Sequence, residues 1–142
     1  MSPRRLIVLL ALVACAVIPA AALAARVAPT VTYRGKTAGR SDVTVKVRDG
    51  RVTSFKGAVY ASCGTTNLLI TIVYPPAGAR RGTSAAIRGG AFRATYQSDP
   101  ELEPQDDRRT ISGRFGRGGG LTGAIRVRGL CTADTTYSAR RG

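Results

Sequence analysis

Two stretches of this chain alternate small or apolar side chains with others, and each closes on a cysteine. Phe55, Gly57, Val59, Ala61 and Cys63 make up the first set. Leu121, Gly123, Ile125, Val127, Gly129 and Cys131 make up the second, with Thr122, Ala124, Arg126 and Arg128 between them. Side chains alternate across a strand with period two, so each set shares one face. Both thiols then sit on the face of the core apolars, provided no bulge shifts the phase. Two inward thiols at strand ends predict a Cys63–Cys131 disulfide. The alternative is two buried free thiols, because free Cys packs as a small hydrophobe.

The rest of the chain reads as short strands and turns. Thr30–Gly35 is a strand expectation, with Val31 and Tyr33 on one side. Val43, Val45 and Val47 alternate with Thr44, Lys46 and Arg48, a half-buried strand. Asp49-Gly50 follows as a hairpin turn, since both central residues of a type I′ turn need positive φ. The return strand starts at Arg51 and runs to Cys63. Val52 and Phe55 are out of phase, which predicts a bulge or kink near Thr53-Ser54. Gly64 to Asn67 reads as a turn. Leu68–Tyr74 is apolar at almost every position and predicts a central strand covered on both faces, or one closing against a second sheet, stopped by Pro75-Pro76.

After a loop carrying Arg80-Arg81, Thr83–Arg88 is expected to pair with Ala91–Gln97 across Gly89-Gly90. Ser98–Asp107 is an acidic, proline-broken loop. Arg109–Phe115 and Leu121–Cys131 are strands around a glycine-rich turn, and Thr135–Ala139 is a last short strand with Tyr137 as its aromatic. No helical template fits beyond the N-terminal segment. The fold class expected is all-β: an antiparallel sandwich or small barrel of about eight or nine short strands with one disulfide. Sandwich and barrel differ in strand order, which this pattern does not supply.

The N-terminal segment fixes how the cysteines are counted. Arg4 and Arg5 precede an apolar run, Leu6–Ile18, and a small-residue region, Ala20–Ala25. That is the layout of a signal peptide, expected as a helix over residues 1–24 with cleavage after Ala24, or after Ala22. Two alternatives stand beside it. Leu12-Val13-Ala14-Cys15 matches a lipobox that would lipidate Cys15, and Leu6–Ala25 is long enough to be an uncleaved anchor. Membrane association is expected only in those two cases. Removal of Cys15 leaves Cys63 and Cys131 as a pair in an exported, disulfide-permissive setting. The domain plan is a lead-in at residues 25–29, one β-domain at 30–139 and a basic tail at 140–142. Localisation is expected to be secreted or extracytoplasmic, at the cell envelope.

Chemistry is constrained mainly by what the sequence omits. It has no histidine, which excludes Ser-His-Asp and Cys-His nucleophile systems and His-ligated metal sites. No cofactor motif is present. Gly113, Gly116 and Gly118–Gly120 lack the Gly-Lys-Ser/Thr of a phosphate loop and read as a hairpin turn. Asp99, Glu101, Glu103, Asp106 and Asp107 form the one acidic cluster and are candidate cation ligands, without the spacing of a calcium loop. An enzyme working through this loop is one alternative function, and a barrel carrying a small ligand is another.

With 22 basic against 8 acidic residues the net charge is +14. Lys46, Arg48, Arg51, Lys56, Arg126 and Arg128 are the candidate polyanion contacts. The Arg-for-Lys bias also fits GC-rich codon usage, in which case the charge is solvated surface. The leading expectation is a non-catalytic exported β-domain whose basic surface meets anionic wall polymer, lipid head groups or an acidic protein. Scarce aromatics on that surface, and export, speak against nucleic acid.

Tyr33-x-Gly35-x-Thr37, the Asp49-Gly50-x-Val52 hairpin, Gly113-x-Phe115 and the two cysteines together resemble uncharacterised exported two-cysteine β-domain proteins of actinobacteria. The resemblance covers roughly residues 30 to 139. Where that group carries a Trp before the C-terminus, this chain has Tyr137. The resemblance implies export and a β-fold, and it transfers no functional residue.

Overall fold

The computed structural model describes residues 27–142. The expected signal helix, its cleavage points, Cys15 and the anchor alternative lie outside the described residues. Every regular element described is a strand: β1 (Val31–Thr37), β2 (Asp42–Arg48), β3 (Arg51–Cys63), β4 (Thr66–Tyr74), β5 (Ala85–Ala86), β6 (Ala91–Tyr96), β7 (Asp107–Phe115), β8 (Gly120–Gly129) and β9 (Ala133–Arg141). They pair antiparallel in the order β4-β3-β2-β1-β9-β8-β7-β6, with β5 added to the start of β3. The sheet is curled into a half-barrel. Its first and last strands meet in the middle, with Gly35 opposite Ala139.

Local chemistry explains the hairpins. Asp49 and Gly50 take φ of 51° and 66°, the pair of positive values a type I′ turn demands. The bulge is where the phase break places it. Lys46 faces Ser54 and Val47 faces Val52, so Thr53 is the extra residue. The kink brings both Val52 and Phe55 to the inside, each fully buried.

The alternating sets form the core. Phe55, Val59, Ala61, Leu121, Ile125 and Val127 are buried beside Ile72, Phe92, Ile111 and Tyr137. The Phe55 ring meets Tyr137 edge-on at 5.4 Å, and Tyr33 meets Phe115 at 5.2 Å. Tyr137 lies over Gly113 and Gly123, whose missing Cβ atoms leave room for its ring. Its hydroxyl donates to the Ser112 carbonyl at 2.9 Å.

Closure at one end is covalent. β2 stops pairing with β3 at Lys56, so β3 continues past it as far as Cys63. There Ser62 and Thr132 exchange two backbone hydrogen bonds of 2.8 Å, and Cys63 and Cys131 form the disulfide. Pinning residues separated by 68 positions stabilises the fold by about 4.4 kcal/mol on a chain-entropy argument.

Four expectations are corrected. The Leu68–Tyr74 run is not a covered central strand. It lies within β4, which has β3 as its only strand partner among the described residues, and Leu68, Leu69 and Val73 are exposed. Thr83–Arg88 does not pair along its length with Ala91–Gln97. It contributes two residues, Ala85 and Ala86, which pair with Val52 and Arg51. Only the Arg88–Ala91 bridge remains of the expected hairpin. The second cysteine run leaves the sheet at Gly129, so Cys131 lies in the turn after β8. The last strand is longer than Thr135–Ala139: Arg140 and Arg141, expected as a tail, pair with Arg34 and Tyr33. Neighbours decide these outcomes, since β3 takes up Ala85 and Ala86, β1 takes up Arg140 and Arg141, and Leu130 bonds to the Asp106 carbonyl of a loop; strand propensity alone does not encode them.

Candidate functional site

The core pattern dictates the other face. Where inward residues are apolar, the residues between them point out, and on β1, β6, β7, β8 and β9 these are mostly basic or hydroxylated. The register aligns them in rows across the sheet. Arg34 faces Arg140, which faces Gly120. Lys36, Ser138, Thr122 and Arg114 form the next row. Thr136, Ala124, Ser112 and Arg93 form the third.

Small side chains in these rows leave three adjoining depressions. One of about 490 Å³ is lined by Arg34, Lys36, Thr122, Ser138 and Arg140. The next, about 630 Å³, shares Lys36, Thr122 and Ser138 and adds Arg114. The third, about 340 Å³, shares Thr122 and Arg114 and reaches Arg93. Together they make a trough that crosses five strands, about 19 Å from β1 to β6 at ordinary strand spacing. Its floor is Ser, Thr, Ala and Gly, and its rim is Arg and Lys.

Acidic partners are few on this outer face. Asp42 and Asp134 are the acids the strands present there among the described residues. Lys36 pairs with Asp42 at 2.7 Å. Asp134 holds Arg126 at 3.2 Å and Arg128 at 3.3 Å. Arg34 and Arg140 stand directly opposite each other, a like-charge juxtaposition that costs stability unless an anion lies between.

The six basic candidates from the sequence do not form one patch. Lys46 and Lys56 lie on the outer face of β2 and β3, opposite Ser54 and Thr44. Arg48 and Arg51 face each other at the Asp49-Gly50 end. Arg126 and Arg128 sit at the opposite, disulfide end, tied to Asp134, and Arg128 also donates to the carbonyls of Val127 and Ala133 at 2.9 Å. The trough residues Arg34, Arg93, Arg114 and Arg140 went unread. Their signal was available: each sits between the inward residues of its strand.

The acidic stretch is a structural loop. Asp107 is buried, and its Oδ2 accepts from the Ser98 amide, the Ser98 hydroxyl and the Asp99 amide, each at 2.7 Å. Its Oδ1 accepts from Arg109 Nε at 3.2 Å. Burial pushes the Asp107 carboxyl up, but these hydrogen bonds and the Arg109 charge outweigh it and hold the carboxyl below its ordinary value. Asp99 turns its own oxygen to the Glu101 amide at 3.0 Å. The fold therefore does not gather Asp99, Glu101, Glu103, Asp106 and Asp107 into a cation cage. Among the described residues no three His, Cys, Asp or Glu side chains converge to hold a metal.

No protein-family model and no curated protein matches this chain.

Proposed function

We propose that this protein is a non-catalytic exported β-domain that holds a linear anionic polymer of the cell envelope in the trough across β1, β9, β8, β7 and β6. The observation that carries this reading is the juxtaposition of a small-residue floor with a rim of Arg34, Lys36, Arg93, Arg114 and Arg140. A floor of hydroxyls and backbone lets a chain approach closely, while guanidinium groups give paired hydrogen bonds to phosphate or carboxylate. A trough crossing five strands suits several repeats of a polymer better than one small ligand.

Export is part of the proposal. It rests on the N-terminal segment and on the disulfide, which persists in oxidising compartments. An apolar-ligand carrier is less well supported, because the interior is occupied by Phe55, Phe92, Leu121, Ile125 and Tyr137. The acidic-loop enzyme is less well supported too, since Asp107 is spent on holding its own loop.

The test is retention of the mature domain on isolated envelope and on an anionic resin. Retention is expected at low salt and is expected to vanish by moderate salt, as exposed charges are screened. A triple R34Q/R114Q/R140Q variant is expected to be released at lower salt than wild type. Retention indifferent to salt, or no retention, overturns the reading.

A further inference from the structure

A second basic concavity lies outside the trough, where the β2–β3 turn meets the loop between β4 and β5. It encloses about 530 Å³ and is lined by Arg48, Arg51, Arg80 and Arg81, with Asp49 as its acid. None of these four arginines has an acid within ion-pairing distance among the described residues. Arg48 and Arg51 are cross-strand partners, a like-charge pair directly opposite. The fold thus holds four cations and one carboxylate around one hollow, with no ion pair between them.

The hollow is built, not incidental. The loop folds back because Ala85 and Ala86 pair with the start of β3, and Ile87 donates to the Gly50 carbonyl at 2.9 Å. Two successive turns shape it. Ala79 donates to Pro76 and Thr83 to Arg80, both at 3.1 Å, with Gly78 at φ 78° and Gly82 at φ 81° in the third turn position. That position requires positive φ in a type II turn and favours glycine. Arg51 is oriented by Ser84, donating from Nε to its hydroxyl at 2.6 Å and from Nη2 to its carbonyl at 3.1 Å. One guanidinium is thereby held in place, and the other three line the same hollow.

From this geometry we infer a phosphate-binding pocket that takes a dianionic phosphate monoester, free or at the end of a longer chain. Planar guanidinium groups match phosphate oxygens bidentately, and a dianion offsets a cluster that a single carboxylate would leave largely unneutralised. The volume leaves space for the group that carries the phosphate. The pocket shares no residue with the trough, so this inference does not rest on the polymer reading.

The experiment is a titration followed by amide and arginine Nε–H resonances. The probes are inorganic phosphate, glycerol phosphate as a monoester, and dimethyl phosphate as a diester. Saturable shifts are expected at Arg51 Nε–H and at the Gly78 and Gly82 amides with the first two probes, and only weak ones with the diester. Glycerol phosphate binding tighter than inorganic phosphate assigns the pocket to carried monoesters, and equal binding assigns it to the free anion. An R80Q/R81Q variant, which leaves the Arg51–Ser84 anchor intact, is expected to bind roughly tenfold or more weakly. R34Q/R114Q/R140Q is expected to bind as wild type does. Unsaturable shifts, or equal weakening by both variants, overturn the inference.

Discussion

Asp107 shows how much one side chain can organise. Its carboxylate collects four donors and fixes the loop that begins at Ser98. Through Arg109, whose Nη1 reaches the Thr71 carbonyl at 2.7 Å, it also braces the unpaired side of β4. Because its folded-state acidity is raised, its stabilisation is complete above the unfolded value near 3.9 and is lost as pH falls through the lower folded value. D107N is expected to be less stable by about 1–3 kcal/mol at neutral pH. The gap should narrow once the pH drops below the unfolded value, as urea unfolding at pH 7 and pH 3 will measure. The role was legible in phase: Asp107 shares parity with Ile111 and Gly113, the inward set of β7, yet composition grouped it with its acidic neighbours. Tyr96 makes the converse case. Its hydroxyl is buried without a hydrogen-bond partner among the described residues, while its ring packs on Tyr74 at 5.3 Å. Removing an unsatisfied polar atom relieves a desolvation cost, so Y96F is expected to keep the fold and to gain about 1 kcal/mol in the same assay.

At the scale of elements, periodicity served well where one face is wet and failed where both look dry. β2, β3 and β8 were legible because alternation reports one-sided burial, and the bulge at Thr53 was legible because the alternation slips there. β4 misled because an all-apolar run has two physical origins, burial on both faces or an edge that keeps its apolar side chains in water. Leu69 is 56% exposed, which decides for the second. The trough was missed for a related reason: its residues come from five strands, and only the register brings them together. β4, without a second strand neighbour among the described residues, carries no charge from Thr66 to Tyr74 and no proline, the profile of an edge open to strand addition. L69K places a charge on the outer face beside Tyr60. It is expected to change unfolding stability by less than about 0.5 kcal/mol and to reduce light scattering when the protein is held near its melting temperature. Scattering as strong as wild type would mean that β4 is not the aggregating edge.

On the scale of the whole molecule, the disulfide joins β3 to the far end of the β8–β9 hairpin, away from the trough rows at Gly120–Ala124. The bridge ties the overhanging end of β3 to the turn between β8 and β9. The trough is drawn on β1, β9, β8, β7 and β6, whose ladders run unbroken from Arg34–Arg140 to Arg93–Ser112. Loss of the bridge removes the constraint on β3 and β4 but leaves those ladders their own hydrogen bonds and the Tyr137–Ser112 contact. C63S/C131S is therefore expected to lose up to about 4 kcal/mol, with the amides of Ser62 and Thr132 exchanging faster than those of β8. Its salt-dependent retention on envelope is expected to stay near that of wild type at temperatures where it remains folded. The two readouts separate structure from binding. Retention that falls in step with the faster exchange would show that the trough needs the closed end, because tension across β9 would then set the spacing of its rows. Retention that holds while exchange accelerates places the clasp and the binding surface in thermodynamically independent parts of the sheet.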